Sequence, residues 1–298
     1  MTTLNDLITD VKLKLSAYTL NQDKITYMSG SLSTSATTLV IGSSDNLAKG
    51  IIEIDDELLH VDSYTEASLT LNVSPGFGRG YMGTTAAAHN ANSMVTLAPT
   101  FPRNMIKQAI NDTIRAVYPK LYKVATTTFT ASSAVSTFEL PAACETVLTA
   151  SWQSPGPSAE WYTIRRFRVD SMANTTSFTS GSSITFNSGI IPGRTIQVAY
   201  TAQPTALSAN ADDFTTVSGL PASCVDIIVL GACHRLLAFI DAGRLNFVSA
   251  ESDAADSKQP SYAGQSIAKY VLALYTQRLN DEANRMLGQY KATLRYSS

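Results

Sequence analysis

The chain has 298 residues, enough to bury a substantial core and to form two or three domains. Apolar residues make up 44% and charged residues 15%, which excludes a disordered chain; so few charges point to surface hidden in an assembly or to a serine- and threonine-rich β protein. A formal net charge of −2 gives no overall electrostatic footprint for nucleic acid or an anionic membrane, and no apolar run is long enough to span a bilayer.

From the N-terminus, Thr3 followed by Asp6 resembles a helix-capping arrangement, and Leu4, Leu7, Ile8, Val11 and Leu15 fall on one helical face. A single short amphipathic helix is marginal alone in water and needs a surface to pack on. The stretch MTTLNDLITDVKLKL lacks the basic and continuous apolar regions of a secretory signal, so synthesis as a soluble protein in a cytoplasm is expected. From about Ile25 to Leu97 the pattern changes to strands over Thr37–Ile41, Ile51–Ile54, Leu58–Val61, Leu69–Val73 and Met94–Leu97. Asp55, Asp56 and Glu57 sit between two of these runs as a hairpin turn, and the spacing of the strands suggests a small barrel or sandwich. Gly76, Gly78, Gly80 and Gly83 then predict tight turns.

Pro102 opens the next helix, with Met105, Ile106, Ala109, Ile110, Thr113 and Val117 at helical spacing and an end near Tyr118 imposed by Pro119. A second β region, about Thr126 to Thr201, has its clearest strands at Val135–Leu140, Trp161–Val169, Ser183–Phe186 and Thr195–Tyr200, and reads as a sandwich-like module. Pro221 starts a helix carrying Val225, Ile228, Val229, Ala232, Leu236, Leu237 and Ile240, apolar on more than one face, with Gly243 at the expected C-cap. Asp253 to Tyr262 reads as a loop. From about Gly264 the residues Ile267, Tyr270, Val271, Leu274, Met286 and Tyr290 predict a long helix, with Asp281 and Arg285 spaced for an i,i+4 pair. The fold class is therefore α+β, a discontinuous helical bundle with two inserted all-β modules. In residue terms, 1–20, 101–124 and 218–298 supply the helical core and C-terminal tail, while 21–100 and 125–217 are the insertions.

Signals for chemistry are weak. His60, His89 and His234 are isolated, and Cys144, Cys224 and Cys233 lack CxxC spacing, so no metal site, disulfide framework or cofactor is expected and the cysteines read as small buried residues in a reducing compartment. Asp55, Asp56 and Glu57 lack the glycine and later glutamate of a calcium loop and read as a solvated turn. GFGRGYMG has no lysine after its last glycine and leads into a strand, so it reads as turns and not as a phosphate cradle. In WYTIRRFRV, Arg165, Arg166 and Arg168 alternate with aromatics. They suit an outward strand face, a subunit interface or contact with DNA.

Two stretches resemble a known family. RGYMGTTAAAHNANSMV, Arg79 to Val95, resembles the RG-x-x-GT-x-A-x-x-H-x-x-x-x-x-V pattern of small β modules in tailed-phage virion proteins. GACHRLLAFIDAGR, Gly231 to Arg244, followed by KYVLALYTQRLNDEANRMLGQY, Lys269 to Tyr290, is similar to the last two helices of siphophage head-to-tail adaptor proteins. The resemblance implies a non-enzymatic virion protein of the neck, assembled in the host cytoplasm as a ring, usually a dodecamer, between portal and stopper or tail. Such a ring lines the DNA channel without reading sequence and does not touch a membrane. The interface candidates on the terminal helices and tail are Arg235, Arg244, Tyr275, Arg278, Arg285, Tyr290, Arg295 and Tyr296. The two β insertions depart from the small family members and leave a tail-side, stopper or decoration role open. Trp152, Trp161 and Tyr162 near Pro/Gly loops leave a carbohydrate- or surface-binding module as the competing reading.

Overall fold

A computed structural model describes residues 1–17, 23–43, 49–155, 160–187, 190–248 and 263–289, with backbone alone for 239–248 and 263–266. The protein is of the α+β class expected from its sequence, with five α-helices and three β-sheets among the described residues. It divides into two compact units, one of Leu4–Thr113 and Ile228–Ala273, the other of Met1–Thr3, Ile114–Ile227 and Leu274–Ser298.

The first of these units begins with α1 (Leu4–Ser16), which buries Leu4, Leu7, Ile8, Val11 and Leu15, the stripe its 3.6-residue period predicts. Six strands follow: β1 (Lys24–Tyr27), β2 (Thr38–Val40), β3 (Gly50–Ile54), β4 (Glu57–Thr65), β5 (Thr70–Val73) and β6 (Met94–Leu97). All pair antiparallel in the order β1-β6-β3-β4-β5-β2. The two outer strands also meet. Ser29 N–H donates to the Val40 carbonyl and Gly42 N–H to the Tyr27 carbonyl, both at 2.9 Å, around a Met28–Ile41 bridge. The sheet thus closes into a small barrel without free edges. Its core is Met28, Leu32, Leu39, Ile41, Ile52, Ile54, Leu59, Val61, Leu71, Val73, Val95 and Leu97.

After the barrel comes α2 (Arg103–Ala116), where Ile106 N–H bonds to the Pro102 carbonyl and the chain leaves through a cis Tyr118–Pro119 peptide. Its buried face is Ile106, Ala109, Ile110, Thr113 and Ile114, whereas Met105 of the predicted stripe is only half-buried. Glu53, on the outer side of β3, is buried and accepts from Arg103 N–H at the start of α2, with Lys12 of α1 3.5 Å away. Burial pushes the Glu53 carboxyl up, against the Arg103 N–H and the charges of Lys12 and Arg103. A folded-state pKa above the ordinary value stabilises only below that pKa and is lost as pH rises. Glu53→Gln keeps the acceptor without the charge. Its stability in urea at pH 7 is expected to stay within about 1 kcal/mol of the parent, and a loss above about 2 kcal/mol would contradict this account.

In the other unit, β7 (Lys123–Thr130), β9 (Thr146–Gln153), β10 (Trp161–Thr163) and β13 (Thr195–Ala202) form a sheet in the order β10-β9-β13-β7. A second sheet has the order β11-β12-β8, from β8 (Thr137–Glu139), β11 (Phe167–Asp170) and β12 (Ser183–Phe186). The sheets share one core, in which Phe129 of β7 stacks on Phe138 of β8 at 5.1 Å and Phe138 and Phe167 both meet Phe186. The expected single strand Trp161–Val169 is therefore two strands in different sheets, turning at Ile164, which is buried between them in the shared core. A further short helix, α3 (Phe214–Ser218), is absent from the sequence reading. Asp213 caps it by accepting from Thr216 N–H at 3.0 Å, and Gly219 closes it at φ 74°.

The last two helices are α4 (Val225–Val248) and α5 (Ala263–Gln289), and with α2 they contribute residues to both units. Gly243 does not cap α4, which continues to Val248; a helical glycine costs only about 1 kcal/mol relative to alanine, so a local stop signal can be overridden. In α5, Ala268, Val271, Leu279, Glu282 and Met286 are buried, but Tyr270 is 62% exposed and does not belong to the apolar stripe. The segment Asp253 to Tyr262 lies outside the described residues.

Candidate functional site: interaction surfaces

The Arg79–Val95 pattern builds a buried ionic clasp at one end of the barrel. Strand parity puts Glu57 on the inward face of β4 with Leu59 and Val61, and its side chain is fully buried. Only Asp55 and Asp56 make the hairpin turn, with side chains 60% and 46% exposed, so Glu57 is not the solvated turn residue the sequence suggested. One Glu57 oxygen accepts from Arg79 Nε at 2.8 Å and Gly80 N–H at 2.9 Å; the other accepts from Arg79 Nη2, Ala87 N–H and His89 Nε2 at 3.0, 2.9 and 2.8 Å. The remaining Arg79 N–H groups donate to the carbonyls of Ser33, Ala36 and Ala87, so every donor of the guanidinium is used. His89 Nδ1 lies 2.8 Å from an Asp55 carboxylate oxygen, which makes it part of the same cluster and not the isolated histidine its sequence context suggested.

Two further fixed positions of the motif, Gly80 and Thr84, hold the loop in place. Gly80 lies at φ 60° with its N–H on Glu57, and a Cβ there would meet the Thr84 carbonyl at 2.8 Å. Thr84 Oγ1 accepts from Leu58 N–H at 3.0 Å, pinning the loop to β4. Burial pushes the Glu57 carboxyl up, but the bonds from Arg79, Ala87, His89 and Gly80 outweigh it and hold the pKa at about 2. Beside the clasp, His60 donates or accepts at Ser74 Oγ, 2.8 Å away, and its ring lies 5.6 Å from Phe77 and 5.2 Å from Tyr81. Both His89 nitrogens and both Glu57 oxygens are occupied by these bonds. Among the described residues no group of three or more His, Cys, Asp or Glu side chains could hold a metal ion.

The residues singled out on the terminal helices fall into different settings. Arg235 is half-buried and its Nε donates to Thr113 Oγ1 at 3.2 Å. Arg278 pairs with Asp226 at 2.7 Å, at side-chain exposures of 41% and 43%. Arg285 binds Glu282, three residues earlier, and its Nη2 reaches Ser223 Oγ at 3.2 Å, whereas the sequence had suggested Asp281 as its partner. Glu282 is buried and also accepts from Ser223 Oγ at 2.6 Å; its carboxyl is held below the usual range by Arg285 against the cost of burial. Tyr275 is half-buried, only the backbone of Arg244 is described, and Tyr290, Arg295 and Tyr296 lie outside the described residues. Arg285, Met286, Gln289, Tyr122, Val124 and Pro221 line a cavity of about 340 Å³, which the sequence did not signal.

Arg165, Arg166 and Arg168 are exposed, and no described side chain pairs with them. Nearby, Trp161 and Tyr162 are about half exposed, and Tyr162 lies 5.7 Å from the Trp152 ring and donates to Glu160 at 3.0 Å. Burial raises Cys144, Cys224 and Cys233, the second to about 12, so these free thiols are poor nucleophiles. His234 is half-buried and bonds the Ala268 carbonyl at 3.2 Å.

Among known proteins, the family model described as SU10 adaptor protein matches residues 84–294, which run from the clasp loop to beyond α5. The chain belongs to the SU10 adaptor protein family. No curated protein matches it. The family implies a phage structural adaptor that works with other virion proteins and resides in the virion. Residues 1–83, with α1 and most of the barrel, lie outside the matched span. Among the described residues no helix is long and apolar enough to cross a membrane.

Proposed function

We propose that this SU10-family adaptor acts at the head-to-tail junction of a tailed phage, as a homo-oligomeric ring between portal and stopper or tail. The observation that carries the reading is the family match across residues 84–294, which takes in α2, the second β region and the three C-terminal helices. The low proportion of charged residues fits a chain that hides surface in an assembly. The function is mechanical, with neither catalysis nor a cofactor. Repeated contacts reinforce one another once a ring closes, and a dodecamer is the expected number. DNA passes through the channel without sequence-specific contact.

In this reading 1–20, 101–124 and 218–298 are the ring-forming helical core, and 21–100 and 125–217 are insertions facing neighbours. Arg235, Arg244, Tyr275, Arg278, Arg285, Tyr290, Arg295 and Tyr296 serve portal and subunit contacts. Arg165, Arg166 and Arg168, whose exposed side chains pair with no described side chain, serve a neighbouring subunit or the DNA backbone. The exposed pair Trp161 and Tyr162 favours one second reading, a surface-binding role for the second β region, with glycan binding as its test.

Sedimentation of the chain mixed with purified portal tests the proposal. A complex carrying one ring of this chain per portal is expected. Separate boundaries for portal and chain at about 10 µM of each would count against it, because an avid ring should saturate there.

A further inference from the structure

The barrel has no free edge, but the four-stranded sheet of the sandwich ends on β7, and β7 pairs on one side only, with β13. At the end of that ladder Ala131 N–H donates to the Arg194 carbonyl, which fixes the alternation of the strand. Lys123, Ala125, Thr127 and Phe129 bond inward to β13, so the N–H and C=O groups of Val124, Thr126, Thr128 and Thr130 point to the open side. No hydrogen bond to these outward groups forms among the described residues.

Natural edge strands are usually kept short, bulged, charged or interrupted by proline. This one has eight residues, reads KVATTTFT, and runs in unbroken register, with a single charge at its first position. The sheet's one register shift lies on the other side of β13, toward β9.

We propose that the β7 edge is a pairing surface for a second copy of this chain, the two β7 strands joining antiparallel about a two-fold axis at Thr127. In that register Val124 faces Thr130 and Thr126 faces Thr128 of the partner, so every outward group of both strands is satisfied at once. Length supports a copy of β7 as the occupant, because the other sandwich edges among the described residues, β8, β10 and β11, have three, three and four residues. Charge supports it too. Each lysine lies opposite Ala131 of the partner, and the two Lys123 side chains are held about 27 Å apart, at roughly 3.4 Å per residue, well beyond the Debye length. Exposed Thr126 and Thr128 meet across the axis as a threonine pair, a favourable cross-strand combination. A two-fold contact closes on itself and has no place between the head-to-tail subunits of a ring, so the pairing belongs to the free chain before it joins a portal, and either proposal can fail without the other.

Two variants of the full-length chain test it. Thr128→Pro removes one outward N–H and leaves the β13 ladder intact, as proline on an edge strand does. The double variant T126K/T128K sets lysines directly opposite one another across the axis, which repels. The parent is expected to sediment as a dimer at about 10 µM and both variants as monomers with unchanged circular dichroism. Amides of Val124, Thr126, Thr128 and Thr130 should exchange about tenfold slower in the parent than in T126K/T128K. A parent that stays monomeric, or a dimer that survives T126K/T128K, overturns the proposal. Protection of these amides only in complex with another virion protein also overturns it, since the edge then belongs to a different partner.

Discussion

Arg79→Ala is expected to destabilise the barrel by about 3–5 kcal/mol, the usual cost of leaving a buried charge without its partner. Glu57 would keep its burial but lose two of its five hydrogen bonds and the compensating charge, and the carbonyls of Ser33, Ala36 and Ala87 would lose their donor. Arg79→Lys should recover only part of the loss, because an ammonium cannot place donors on both carboxylate oxygens and three carbonyls in one plane. Urea unfolding followed by circular dichroism reads this directly, and a loss under about 1 kcal/mol would show that the clasp does not hold the barrel closed. The same clasp sets an acid limit. A carboxyl lowered from 4.5 to about 2 on folding contributes roughly 3 kcal/mol at neutral pH, all of it present above pH 4.5 and lost as pH falls toward 2. Glu53, shifted the other way, offsets part of that loss, so acid unfolding should be steeper in Glu53→Gln.

Glu282→Ala is expected to cost about 2 kcal/mol, and Asp226→Ala less than 1 kcal/mol, although both acids bind an arginine of α5. The difference lies in burial. Glu282 is 4% exposed and also receives the Ser223 hydroxyl, so its loss takes the shared acceptor from Arg285 and Ser223 and opens a void beside the buried Cys224. The Arg278–Asp226 pair is some 40% exposed on each side, and water and salt replace it readily. Equal losses for the two variants would mean that the terminal helix is held by its apolar face alone, through residues such as Leu279 and Met286. Thermal unfolding of both variants at low and high salt separates the cases, because only the Asp226 effect should shrink as salt rises.

The structure shows where local sequence signals suffice and where they fail. The α1 stripe and the β3–β4 hairpin were legible because a helical or two-residue period carries the burial pattern within one element. Trp161–Val169 was not, because nothing local says that a strand changes sheets at Ile164; that depends on the core the two sheets share. The clasp shows the same limit. Its partners Arg79 and His89 lie 22 and 32 residues from Glu57, so the acid looked like part of a polar turn. Its parity with Leu59 and Val61 was the one signal that it points inward. The open β7 edge was missed for a related reason, since an edge is defined by the absence of a neighbour and not by the strand's own residues. On the terminal helices, residue type and position do not separate the internally bonded Arg235 from arginines as exposed as those of the sandwich, because the Thr113 partner of Arg235 lies 122 residues away.

Electron microscopy of assembled particles from the source phage, with the chain located by a fused tag, tests the adaptor reading most directly. The account predicts a closed ring of this chain at the portal vertex, with a copy number matching the neck symmetry. Particles that carry the chain only on the capsid surface or at the distal tail, or that join head and tail normally without it, would contradict the account.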